Sequence, residues 1–84
     1  MKKLFYTTLD YRNSNLLAQQ QANYILKKLA KNNIDVYQVL HVASDYYNDT
    51  TYVEVLVIEN ENTESDIKKV AKELDEEQYF KRRS

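Results

Sequence analysis

The sequence predicts an α+β fold of two layers, an antiparallel sheet with two helices on one face, in the order βαββα with a final strand after the second helix. Three observations carry that expectation. Two segments, Leu16 to Asn32 and Thr63 to about Glu77, repeat apolar residues at helical spacing. Three others, Leu4–Tyr11, Ile34–Ser44 and Thr51–Glu59, are dense in β-branched and aromatic residues. The polar hexamer Asp45–Thr50 separates the last two, as a hairpin turn does. The expected organisation is one domain spanning residues 1–84. A chain of this size buries only about 60–65% of its extended surface, so its stability is marginal and a partner or second copy would add to it.

Each element has its own local grounds. After the first strand, Arg12-Asn13-Ser14-Asn15 offers side chains that accept from free amides at a helix start. Ala18, Ala22, Ile25, Leu26, Leu29 and Ala30 then form one helical face, with Gln19, Gln20, Lys27, Lys28 and Lys31 elsewhere. Asn32-Asn33 suits the C-cap, because Asn tolerates the left-handed conformation. A hairpin turn at Tyr47-Asn48 pairs Val42 with Val53, Leu40 with Val55 and Gln38 with Val57. On the other face the same register joins Ala43 to Tyr52, His41 to Glu54, Val39 to Leu56 and Tyr37 to Ile58. Thr63 is the expected cap of the second helix, with Asp66 three residues on, and Ile67, Val70, Ala71 and Leu74 its stripe. Acidic residues from Glu73 to Glu77 oppose the helix dipole and place the helix end there. Gln78–Arg83 reads as a short last strand, with a frayed helical end as the alternative.

With right-handed crossovers this order resembles the split βαβ, or ferredoxin-like, sandwich. If Val53, Val55 and Val57 pack under the helices, the open sheet face carries Tyr52, Glu54, Leu56 and Ile58, beside Tyr37, Val39 and His41. That much exposed apolar surface points to a partner or dimer interface.

Composition narrows the chemistry. The chain contains no Gly, Pro or Cys and a single His, His41. Phosphate-cradling glycine loops, thiol nucleophiles, disulfides and cysteine zinc sites are therefore excluded, and no cofactor or metal is expected. A net charge of −1, from 12 basic and 13 acidic residues, sets up no overall field to attract a polyanion, so nucleic acid is an improbable partner. No apolar run reaches membrane-span length and residues 1–8 lack a signal peptide's apolar stretch, so the expectation is a soluble cytoplasmic protein. Lys, Asn, Ile, Tyr, Phe and Met total 32 residues and Ala, Arg, Gly and Pro only 8, a skew typical of AT-rich genomes of bacteria, their phages or archaeal viruses.

Several residues admit a chemical role and a plainer one. Leu4-Phe5-Tyr6-Thr7-Thr8-Leu9 resembles the first-strand motif of RNA-recognition-motif proteins, which stack bases on aromatic side chains of this topology. Thr51–Val57 departs from that family's second motif, with Glu54 set where RNA would lie. Asp10, after the first strand, resembles the acidic metal ligand of small CRISPR-associated nucleases, which would imply Mg²⁺ held between two copies; a strand-ending Asp is the plainer reading. His41 and Glu54 pair across the hairpin without the third group that acid–base catalysis needs. Lys81-Arg82-Arg83 is a solvated basic tail, and Asp45, Asn48 and Asp49 are loop polarity without the glycine of a calcium-binding turn.

Interaction proteins remain. The expectation is a non-enzymatic module, a phage or mobile-element inhibitor of a host CRISPR or nucleic-acid-processing protein, acting in the host cytoplasm. It is similar in style to anti-CRISPR and DNA-mimic inhibitors. Its contact residues are Asp45, Tyr46, Tyr47, Asp49, Tyr52 and Leu56, and Glu73–Glu77 adds a second acidic segment. The alternatives are a homodimeric regulatory module joined through the open sheet face, and the Asp10 nuclease.

Overall fold

The computed structural model describes residues 2–81 as β1 (Leu4–Arg12), α1 (Ala18–Lys31), β2 (Val36–Asp45), β3 (Thr50–Ile58) and α2 (Thr63–Glu76). β3 lies in the middle of a three-stranded sheet, order β1-β3-β2, with both neighbours antiparallel to it. The strict alternation of β3 decides which face is covered. Val53, Val55 and Val57 are fully buried, and with Leu9 and Tyr11 of β1 they pack against Ile25 and Leu29 of α1 and Val70 and Leu74 of α2. The fold is thus α+β in two layers, both helices contributing to one core.

Helix α1 buries Gln21, Ala22, Ile25 and Leu29, one side of a 3.6-residue repeat, while Ala30 faces out. Its C-terminus behaves as the asparagines suggest. Asn32 is the C-cap, Asn33 takes φ 62°, and Ile34 donates back to the Leu29 carbonyl at 3.0 Å while its side chain plugs the core. Both helix starts differ from expectation. At α1 the N-cap is Leu17, which has no acceptor, and Gln20 Oε1 instead takes the Leu17 amide at 2.8 Å. At α2 the cap position is Asn62, because Thr63 is turned inward to accept from the Asn60 amide at 2.7 Å. Ala71 is exposed, so the buried row of α2 is Thr63, Ile67, Val70 and Leu74.

Strand β2 holds the expected register near the turn and loses it farther away. Ala43 faces Tyr52, Val42 faces Val53 and His41 faces Glu54. Beyond His41, irregularities at Val39/His41 and Val36/Gln38 each set one extra residue into β2, so Val39 meets Val55, Gln38 meets Leu56 and Val36 meets Val57. The expected pairs Leu40–Val55, Gln38–Val57, Val39–Leu56 and Tyr37–Ile58 are therefore wrong. Val39 lies opposite the helix-side Val55 and not on the open face. The cause is legible in the valines: Val36, Val39 and Val42 recur every third residue, and the bulges keep all three opposite the buried valines of β3.

The expected last strand over Gln78–Arg83 is reduced to one bridge, and Arg82 and Arg83 lie outside the described residues. Tyr79 donates to the Arg12 carbonyl and accepts from the Ser14 amide, both at 2.9 Å, running parallel to β1 just past its end. The Arg12 guanidinium stacks 3.5 Å from the centre of the Phe80 ring and fixes the segment there.

Candidate interaction surface on the β2–β3 hairpin

Tyr46, Tyr47, Asn48 and Asp49 form the loop between the last pair of the ladder, Asp45 and Thr50. The Asp45 carboxylate organises it, accepting from the Tyr47 amide at 3.0 Å, the Asn48 amide at 3.3 Å and the Asn48 side chain at 2.7 Å. These bonds, the Asn48 side chain first, hold the Asp45 carboxyl below its ordinary pKa. Asp49 closes the turn at φ 48°, a left-handed position that Asp tolerates without glycine. With the backbone satisfied from within, Tyr46 and Tyr47 stand 82% and 95% exposed.

The loop is also anchored from beneath. Gln21, buried on α1, donates its amide nitrogen to the Asp49 carbonyl at 2.6 Å and to the Asn13 carbonyl at 2.8 Å. Its oxygen accepts from the Thr51 hydroxyl at 2.6 Å. One side chain thus joins α1, the end of β1 and the base of the hairpin. Sequence reasoning missed it; the signal was its place four residues before Ile25, on the buried side of the helix.

The six residues from Tyr37 to Val42 are exposed without interruption, because the helices cover β1 and β3 more than β2. On the open face Tyr52 is exposed, Leu56 is half-buried, and Leu4, Tyr6 and Asp10 of β1 lie opposite Ile58, Leu56 and Tyr52. The structure therefore brings Tyr46, Tyr47 and Asp49 together at the hairpin tip, gives Asp45 a supporting role there, and sets Tyr52 and Leu56 on the open face. His41 and Glu54 do oppose each other, but the Glu54 carboxylate accepts from the Tyr6 hydroxyl. Among the described residues no three His, Cys, Asp or Glu side chains gather as a metal site.

The near-neutral total charge conceals a segregation that was readable and was missed. Residues 32–67 contain eight of the thirteen acidic residues and none of the twelve Lys and Arg, a formal −8, which leaves the rest of the chain at +7. This acidic span includes β2, the loop and β3. The lysines lie elsewhere, Lys27, Lys28 and Lys31 on α1 and Lys68, Lys69 and Lys72 on α2.

A second polar cluster closes the opposite end of α1. Tyr11 and Tyr24 stack with ring centres 4.5 Å apart, and the Tyr11 hydroxyl donates to the Glu77 carbonyl at 3.2 Å. The Glu77 carboxylate accepts from the Tyr24 hydroxyl and from Lys28 Nζ, both at 2.7 Å. The lysine offsets a carboxylate at the unfavourable end of α2. The Lys28 bond holds the Glu77 carboxyl below its ordinary value, and the same bond raises the Lys28 pKa. A depressed folded pKa stabilises above the unfolded value near 4.5 and loses that contribution as pH falls through the lower folded value. Glu77→Gln should therefore lower the thermal midpoint at pH 7, and the gap from wild type should narrow as pH falls below 4.5. Midpoint curves that stay parallel over that range would contradict this role for Glu77.

Comparison with protein-family models, with curated proteins and with solved structures finds no match to this chain. Among the described residues no helix is long and apolar enough to cross a membrane.

Proposed function

We propose that the chain is a non-enzymatic protein-binding module that presents its acidic, tyrosine-bearing hairpin to a basic surface of a protein partner. One observation carries the reading: a loop held stiff by Asp45 and Gln21 displays two nearly fully exposed tyrosines within a 36-residue span that has no Lys or Arg. A stiff loop loses little conformational entropy on binding, and tyrosine contributes apolar area together with a hydroxyl. Six of the eight tyrosines are exposed, more than the core of so small a fold explains.

In this reading Tyr46, Tyr47 and Asp49 make the central contacts, Asp45 holds the loop, and Tyr52 and Leu56 flank them on the open face. The order β1-β3-β2 supports reading the sandwich as ferredoxin-like. The composition favours a phage or mobile-element product that blocks a host protein in the host cytoplasm, its acidic hairpin occupying a basic groove used for nucleic acid. The reading needs no cofactor or metal.

The test compares proteins captured from source or host cells by the wild-type chain and by the double variant Tyr47→Ala, Asp49→Asn. Asn keeps the left-handed turn and the thermal midpoint should barely move. The expected result is a captured protein whose affinity falls at least about tenfold, ~1.4 kcal/mol. Equal capture by both chains would overturn the proposal, as would Mg²⁺-dependent nuclease activity abolished by Asp10→Ala.

A further inference from the structure

We infer that the outer edge of β2 takes up an extended, cationic segment of the protein partner as an added strand, beside the tyrosines of the hairpin tip. The inference rests on the protein-binding reading above and names the chemistry of the partner. Among the described residues β2 has a single strand neighbour, β3, so its outer edge presents main-chain donors and acceptors with no ladder to satisfy them. Protein edges are commonly guarded by lysine, proline or bulges. β2 contains neither lysine nor proline, and its two bulges are confined to the half before His41. The regular stretch His41–Asp45 is left as a template for pairing, and it leads directly to Tyr46 and Tyr47.

Side chains supply the specificity. Tyr37, Val39, Leu40 and Val42 are exposed at 57, 40, 43 and 46%, so an added strand would find apolar neighbours along the edge. Charge selects among occupants. β2 ends on Asp45 and lies between Asp35 and Asp49, within the span 32–67 that carries a formal −8. Pairing β2 with β2 of a second copy would bring two of these acidic spans close together, and their net charges repel. A segment with alternating β-branched residues and a Lys or Arg beside the tip matches instead. That cation would meet the Asp49 carboxylate and the faces of Tyr46 and Tyr47.

The probe is a displayed library of random dodecapeptides selected on the full chain. The expected result is enrichment of Lys- or Arg-bearing sequences with alternating Val, Ile, Thr or Tyr. A peptide made from them should slow hydrogen exchange within Val36–Asp45 and lose at least tenfold in affinity to Val42→Lys, an exposed site, with an unchanged thermal midpoint as the check that this variant folds. Three results would overturn the inference. Peptides that lose binding with Tyr47→Ala and Asp49→Asn but not with Val42→Lys would leave the hairpin-tip function standing without strand addition. A dimer of the free chain dissolved by Val42→Lys would make the occupant a second copy. Selection of acidic peptides, or of none, would refute the cationic segment.

Discussion

Ile25→Ala is expected to destabilise the protein by about 3 kcal/mol, the usual scale for removing a large aliphatic side chain from a closed core. Ile25 is fully buried where α1 meets the sheet, within the same cluster as Val53, Val55, Val70 and Leu74. Those neighbours belong to elements whose positions the rest of the fold fixes, so the cavity cannot collapse without moving a helix. For a domain whose total stability is on the order of 5–10 kcal/mol, that is a large share. A urea titration should move to a much lower midpoint with an unchanged slope. Leu17→Ala, at a side chain 74% exposed, is the control and should stay within about 0.5 kcal/mol of wild type. Equal midpoints for the two variants would show that the core is not where the buried valines place it.

Gln21→Ala is expected to cost about 2 kcal/mol by removing three buried hydrogen bonds at once. Its effect differs in kind from that of Ile25. The Asp49 and Asn13 carbonyls and the Thr51 hydroxyl lose the group that ties them together, so the damage concentrates at the base of the hairpin. Amide hydrogens from Asn48 to Thr51 should exchange faster in this variant, out of proportion to the change in overall stability. Partner affinity should fall too, although Gln21 itself is buried. A variant that loses stability uniformly, with the hairpin no more open than the helices, would contradict the anchoring role.

The parts of the fold legible in the sequence are those where one physical signal acted alone. β3 alternates valine with polar or larger residues, so its buried face and its register with Val42 could be read directly. Asn32 and Asn33 substitute for glycine at the helix end and do what that chemistry suggests. β2 was harder because valine every third residue fits neither a regular strand nor a helix, and only two bulges reconcile it with the sheet. Thr63 fits a cap by type, but its burial beneath the Asn60 turn is a tertiary effect. The last segment failed because the stack of Arg12 on Phe80 and the ties on Glu77 depend on side chains far apart in sequence.

The candidate surface was partly legible as well. Tyr46 and Tyr47 do project from the loop beside the half-buried Asp49, whereas Asp45 spends its carboxylate on the loop amides. Of the tyrosines, Tyr11 and Tyr24 form a stacked support that spacing alone does not reveal. The charge segregation lay in the sequence throughout, hidden by a total that sums to nearly zero.

In the function proposed above, the acidic tip of the β2–β3 hairpin carries the binding. The salt dependence of partner affinity tests it most directly, measured on wild type and on the Tyr47→Ala, Asp49→Asn variant. Between about 0.05 and 0.5 M salt, where the screening length falls from roughly 14 to 4 Å, the wild-type affinity should drop by about tenfold or more, and the variant's should drop less. A wild-type affinity that is flat across that range, or identical slopes for both chains, would contradict the account.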